Sequence, residues 1–234
     1  MYLRFSNRLK DFELRATSDI DLIVTETQAK KKANRFAILK AIKGDLQYCV
    51  CSDAKHFMFE KPPASKLDIL VPPLRDDDIE TDGFRVKLVK SQLHGYLTPE
   101  ACFIEEGLEK IAVNDYFVNV PSISNLLILK LLAFDDRHKR QDTERAQTHA
   151  FDVFVMAELS DTADYRQSRE FISIHNESEI INKTRLSISE NFKDIESSGW
   201  EYVLRTGVFP QLSPQQKHQR LKHAANRLLR WFEC

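Results

Sequence analysis

The spacing of apolar positions changes part-way along this chain. Near the start, Ile20, Leu22 and Val24 stand at every second position, with Asp19 and Asp21 alternating against them. That is the period of a strand with one buried face. Further short runs at 46–51, 56–59, 66–71 and 84–89 are rich in β-formers and are punctuated by Pro62-Pro63, Pro72-Pro73 and Asp82-Gly83, so they predict more strands. Helical spacing over 2–9 and 27–42 is interleaved with them. After Pro121 the period lengthens: Ser122 is placed to cap a helix running to about Lys139, and 148–159 continues in helical pattern. Helices over 165–172, 177–196 and 213–232 follow, with no convincing strand beyond Asp161. The expected fold class is α+β, a mixed sheet with flanking helices over 1–160 and a helical C-terminal region over 161–234. No Gly/Pro-rich linker separates the two.

On the first of these strands Asp19 and Asp21 project from one face, side by side, and adjacent like charges on a sheet call for a counter-charge. A divalent cation is the simplest one. Mg²⁺, or Mn²⁺ in its place, takes oxygen ligands from one or two carboxylates and keeps further positions for water and substrate phosphates. A third acid, Asp68, alternates with Leu67, Ile69 and Val71 in a segment that is otherwise apolar. Should that strand pair beside the first, Asp19, Asp21 and Asp68 form a cluster able to hold one or two ions, with Asp68 also placed to take the proton of an attacking hydroxyl. The bland alternative has Asp19 capping a turn and Asp68 in a surface ion pair.

Composition restricts the function classes without choosing among them. The chain has 234 residues, 42% hydrophobic and 29% charged, with 34 basic residues against 35 acidic ones. Bulk charge therefore gives no case for a nucleic-acid or membrane partner, and local patches must carry it. Cys49, Cys51, Cys102 and Cys234 lack the paired spacing of a structural zinc site and read as reduced thiols, with Cys49 and Cys51 on one face of a strand. The start of the chain lacks the apolar core of a signal peptide, and the longest apolar stretch, 126–134, is interrupted by Lys130. A cytoplasmic location with no membrane partner is expected. The runs Lys30-Lys31-Lys32 and Asp76-Asp77-Asp78 read as solvated surface. On the last helix Lys217, Arg220, Lys222, Arg227 and Arg230 stand with no acid among them, opposite an apolar stripe of Leu221, Ala225, Leu228 and Phe232. That pattern is either a solvated face opposite a packing seam or a dock for RNA.

The order Arg15-x-Thr17-x-Asp19-Ile20-Asp21-Leu22, followed by Asp68 in an apolar strand, resembles the nucleotidyltransferase fold of the DNA polymerase beta superfamily, in particular the bacterial branch of AbiEii-type toxins of type IV toxin–antitoxin systems. The region Val120-Pro121-Ser122, the helix around Lys130, then Arg137, Arg140, Asp142 and His149 to Phe154 is similar to that branch too, so the resemblance covers roughly 10–160. It implies a nucleotidyltransferase-like sheet and Mg²⁺- or Mn²⁺-dependent transfer of a nucleoside monophosphate from an NTP to a hydroxyl acceptor such as RNA. It also implies a toxin with a cognate antitoxin. Asp19, Asp21 and Asp68 would be catalytic and metal-binding, and Arg15, Thr17, Lys130 and Arg137 would bind the nucleotide. Lys130 fits on physical grounds, because a lysine in a nearly all-apolar helix must snorkel or meet an anion, and Arg137 lies seven residues on along nearly the same face. Asp142 and Asp152 are read as orienting basic residues, Asp152 one turn from His149.

The chain departs from the family in one respect. A Gly-Gly or Gly-Ser pair normally opens a helix ahead of the carboxylates, where backbone N–H groups meet the phosphates, and here no glycine precedes Gly44. The segment 2–9 resembles the helix that follows that pair. Either the start of the protein lies upstream or part of the nucleotide site is lost. The second option makes the competing class a degenerate nucleotidyltransferase-like domain that binds a nucleotide or a partner without turnover.

Overall fold

The computed structural model describes Phe5 and residues 19–51, 57–63, 65–74, 79–88, 93–207 and 209–233. Its contacts divide the chain into two compact units, one of Glu13–Glu105 and one of Met1–Phe12 with Glu106–Cys234. The fold is α+β, a mixed curled sheet followed by a helical C-terminal region. The expected helix over 2–9 lies outside the described residues, apart from Phe5.

In the first unit β1 (Asp19–Ile23) leads into α1 (Glu26–Lys30) and α2 (Lys32–Lys40), which continues as a wider turn over Ala41–Asp45. The single helix expected over 27–42 is thus broken. Thr25 and Gln28 close a capping box on α1, and Lys31 takes an extended backbone whose carbonyl accepts the first amides of α2, a break that no glycine or proline marks. Gln47 then adopts a left-handed φ of 59°. That shortens the strand expected over 46–51 to β2 (Cys49–Val50).

β3 (Met58–Lys61) and β4 (Ser65–Val71) form a hairpin, and β5 (Ile79–Asp82) and β6 (Arg85–Leu88) form another around Gly83, whose φ of +58° suits the turn. β7 (Leu93–Leu97) joins β6 to β4. β4 is the pivot of this sheet. One edge pairs in parallel with β1; the other pairs first with β3 and, beyond Ile69, with β7, so the two share that edge end to end.

Alternation then fixes the faces. Val24, Phe59, Leu67, Ile69, Val71, Val86, Leu88 and Leu93 lie on the core face and pack with Ala29, Ile42 and Tyr48. The Tyr48 hydroxyl meets Ser65 at 2.5 Å, so this buried phenol has a partner for its polar tip. Cys49 is exposed and Cys51 buried, so the expected shared strand face does not form; β2 ends before Cys51. None of Cys49, Cys51 and Cys102 is in a disulfide.

The second unit opens with a hairpin of β8 (Glu109–Val113) and β9 (Tyr116–Val120). After Ser122, whose hydroxyl accepts the Asn125 amide, come α3 (Ile123–Lys139), α4 (Thr143–Leu159), α5 (Thr162–Ile174), α6 (Glu179–Asn191), α7 (Ser198–Arg205) and α8 (Pro214–Phe232). α3 and α4 pack as an antiparallel pair joined by a three-residue connection, and α6, α7 and α8 close around them. Leu127, Ile128, Leu131 and Phe134 of α3, Phe154 of α4, Trp200 of α7 and Leu228 and Trp231 of α8 are fully buried. Among the described residues no helix is long and apolar enough to cross a membrane.

Candidate functional site

The parallel register of β1 on β4 sets Asp21 directly beside Asp68 and Asp19 beside Lys66. Because partners in register share a face and residues two apart repeat it, Asp19, Asp21, Lys66 and Asp68 all stand on the face opposite the core. Neighbouring strands lie ~4.8 Å apart and alternate residues ~6.6 Å apart, so the three carboxylates spring from one small patch of backbone. Asp19 and Asp21 are exposed and Asp68 is half-buried. The antiparallel partners across β3 are Glu60 for Lys66 and Met58 for Asp68.

Carboxylates converging from two strands are the oxygen donor set that a hard divalent cation takes. In donor type and register, Asp19, Asp21 and Asp68 fit Mg²⁺ or Mn²⁺. Their side chains do not stand as a closed ligand group, however: among the described residues no three His, Cys, Asp or Glu side chains are grouped to hold a metal ion. Binding an ion here would require the exposed Asp19 and Asp21 to turn towards Asp68.

The same face continues across the sheet. Leu70, two residues beyond Asp68, is paired with Tyr96 on β7, and Tyr96 in turn is paired with Arg85 on β6. His94 and Lys87 form the next pair on that face. Arg85 donates through Nε and Nη2 to His94 Nδ1, at 2.9 and 2.6 Å. Phe84, just before β6, stacks on Tyr96 with ring centroids 5.6 Å apart and planes 16° from parallel, and Phe57 meets Tyr96 from another side at 5.7 Å. Sequence reasoning passed over this group. Its only signal was the alternation of Arg85 and Lys87 with Val86 and Leu88 in the predicted strand.

No protein-family model, curated protein or solved structure matches this chain.

In the helical unit, Lys130 of α3 and Asp152 of α4 form an ion pair at 2.9 Å, with the carboxylate almost wholly buried. Arg137, two turns further along α3, reaches Asp142 at 3.6 Å, and Asp142 also caps α4 through the Arg145 amide. Both basic residues expected at a phosphate thus have a carboxylate of their own unit as partner. Arg15 and Thr17 lie outside the described residues.

The basic residues of the last helix are divided. Arg220 pairs with Glu158 at 3.0 Å and lies over the Phe209 ring, while Arg227 donates to the backbone carbonyls of Glu158 and Ser160, capping the end of α4. Lys222 and Arg230 remain exposed, while the stripe of Leu221, Ala225, Leu228 and Phe232 is buried. Such a face is chiefly a packing seam.

Proposed function

We propose that this chain is a metal-dependent nucleotidyltransferase, moving a nucleoside monophosphate from an NTP to a hydroxyl on an acceptor. The observation that carries this is the register of Asp21 beside Asp68, with Asp19 on the same exposed face of a sheet whose other face is the core. With Asp21 directly opposite Asp68, a positively charged ligand on this face would offset like-charge repulsion. A bound Mg²⁺ or Mn²⁺ would be held by Asp19, Asp21 and Asp68 and would supply neutralisation of phosphate charge.

The chain's own part is positioning and proton transfer. The acceptor oxygen attacks the α-phosphorus, the bond to the bridging oxygen of the β-phosphate breaks, and pyrophosphate leaves with that electron pair. Asp68, directly beside Asp21 in register, takes the proton of the attacking hydroxyl. RNA is the acceptor class carried by the family resemblance.

A second reading has its own support. The three side chains do not stand as a ligand group, which favours a domain that binds a nucleotide without turnover. Incubation with each α-labelled NTP, Mg²⁺ or Mn²⁺ and bulk RNA separates the two. Transfer of label that is lost in Asp21→Asn and Asp68→Asn, both folded by circular dichroism, supports the transferase. Binding of NTP without transfer under either metal supports the second reading, and neither binding nor transfer removes both.

A further inference from the structure

We propose that Phe84, Arg85, His94 and Tyr96 form a platform that binds a nucleobase and its adjoining phosphate on the same sheet face as the three carboxylates. The choice of a nucleotide as ligand rests on the functional reading above; the existence of an anion-and-ring site rests on the geometry of these four residues.

Lys130, Arg137 and Arg220 each face a carboxylate, and Arg169, Arg185 and Arg227 are engaged by neutral acceptors at helix ends. Arg85 is held on a sheet face by a neutral imidazole. His94 Nδ1 can take the Arg85 N–H groups only as a bare ring nitrogen, so the imidazole carries its proton on Nε2 and leaves the guanidinium charge uncompensated. Asp82 stands opposite Arg85 in register, yet no described residue forms an ion pair with Arg85. Both Nη1 hydrogens of Arg85 therefore take no described acceptor. A half-buried guanidinium whose orientation is fixed by a second side chain, with donors to offer, suits a phosphate oxygen.

The ring beside it supplies the other half. Phe84 is 58% exposed although it stacks on Tyr96. A base inserted between the two rings would need about twice the ~3.4 Å separation of stacked bases, more than the 5.6 Å between their centroids, so the base stacks on the outer face of Phe84. Tyr96, wedged against Phe57 as well, keeps that ring in place. Stacking on one rigid ring with one cation alongside is the arrangement by which proteins hold a nucleotide without reading its sequence.

Placement relative to the acids completes the case. From Asp68 the path runs two residues along β4 to Leu70, then across one strand to Tyr96 and a second to Arg85, which puts the Arg85 and Asp68 backbones roughly 12 Å apart. A nucleotide lying across that span would rest its base on the platform and direct its phosphates towards the carboxylates. Base plus phosphate is offered both by a free NTP and by the end of an RNA strand.

Calorimetric titration of the full chain, with Mg²⁺ and again with EDTA, would use adenosine, ATP, UTP and a single-stranded octaribonucleotide as probes. Phe84→Ala is expected to weaken every base-bearing ligand by about fivefold or more, the contribution of one stacked base. Arg85→Gln is expected to weaken the phosphate-bearing ligands about tenfold and leave adenosine unchanged, with Arg85→Lys recovering part of the loss. An effect on the triphosphates alone assigns the platform to the NTP; an effect on the octanucleotide alone assigns it to the acceptor. Phe84→Leu, which keeps an apolar contact to Tyr96 but no aromatic face, guards against a folding artefact. Affinities unchanged by Phe84→Ala and Arg85→Gln, or no binding of any probe by the folded wild type, would overturn the proposal. Binding that depends on the platform in a protein that transfers nothing would leave the platform standing and remove the transferase. Transfer that depends on Asp21 but has a KM indifferent to Phe84 and Arg85 would do the reverse.

Discussion

Lys130 Nζ lies 2.9 Å from Asp152 Oδ2, joining α3 to α4, and the two members of the pair are unequally buried, with side-chain exposures of 23% and 5%. This inequality decides which substitution harms more. Lys130→Met takes the ammonium partner from a carboxylate with almost no access to water, whereas Asp152→Asn leaves a lysine whose stem can carry its charge outwards. Lys130→Met is expected to cost about 3 kcal/mol in urea unfolding and Asp152→Asn about 1–2 kcal/mol. The opposite order would show that the lysine bears the desolvation. The pair also bears on any phosphate role for Lys130, which would have to share or leave Asp152. If it has such a role, Lys130→Arg should lower NTP affinity at unchanged stability.

The register of Asp21 beside Asp68 makes a second, less intuitive outcome measurable. Like charges directly across a strand pair destabilise the sheet, so in EDTA the variant Asp21→Asn should melt about 1–3 °C above wild type. Added Mg²⁺ should stabilise wild type and leave Asp21→Asn unmoved, because a ligand that binds only the folded state raises the melting temperature. Equal melting temperatures in EDTA, together with no response to Mg²⁺ in either protein, would mean that the two carboxylates do not meet.

Where the sequence could be read, one physical cause dominated the local pattern. Ile20, Leu22 and Val24 against Asp19 and Asp21, and Leu67, Ile69 and Val71 against Asp68, follow the period of a one-sided strand, and Ser122 caps a long helix that is apolar over most of its first three turns. β7 was missed because Gly95 interrupts its run of strand-forming residues. β9 was missed because its alternation is between exposed residues; Tyr116 and Phe117 are both about three-quarters exposed, so no buried face marks it. α7 is only eight residues long and starts at Ser198-Gly199, a poor helix opening. The partners of Lys130 and Arg137 were half visible, since Asp142 and Asp152 were read as orienting basic residues. The Arg85–His94 bond was not legible at all. It joins residues nine apart across a hairpin whose second strand had not been recognised, and nothing in local spacing distinguishes such an arginine from one on a solvated face.

The end of α8 is held by arginines from two other helices. Arg185 donates through Nε to the Phe232 carbonyl at 2.9 Å and through its Nη groups to the Asn176 carbonyl and side chain, at 3.2 and 2.6 Å; Arg169 donates to the Arg230 carbonyl at 2.9 Å. Last-turn carbonyls have no partner within their own helix, so these bonds take the place of a C-cap. Arg185→Ala is expected to cost about 2 kcal/mol and Arg169→Ala about 1 kcal/mol, with Arg185→Lys recovering less than half. Hydrogen exchange should localise the loss to the last turns of α8. Protection there unchanged in Arg185→Ala would show that the helix end is fixed by burial of Trp231 and Phe232 alone.

Gly95 sits on the core face of β7, between His94 and Tyr96, where a Cβ would fall 2.0 Å from Val71 Cγ2 on β4. That contact is impossible without movement, and the neighbour is a β-branched side chain with one strongly preferred rotamer, so β7 must shift away from β4. Gly95→Ala is expected to destabilise the protein by about 1–3 kcal/mol, and Val71→Ala alone by about 2 kcal/mol through the methyl groups lost from the core. Combined, the two changes should cost less than their sum by about 1 kcal/mol or more, because the smaller residue at 71 makes room for the new methyl. His94 and Tyr96 flank Gly95, so displacing β7 also displaces the partners of Arg85 and Phe84. Nucleotide affinity should therefore fall in Gly95→Ala and recover in the double variant. Strict additivity of the stabilities would show that β7 moves for a reason other than Val71, and an affinity that stays normal in folded Gly95→Ala would detach the platform from the register of this strand.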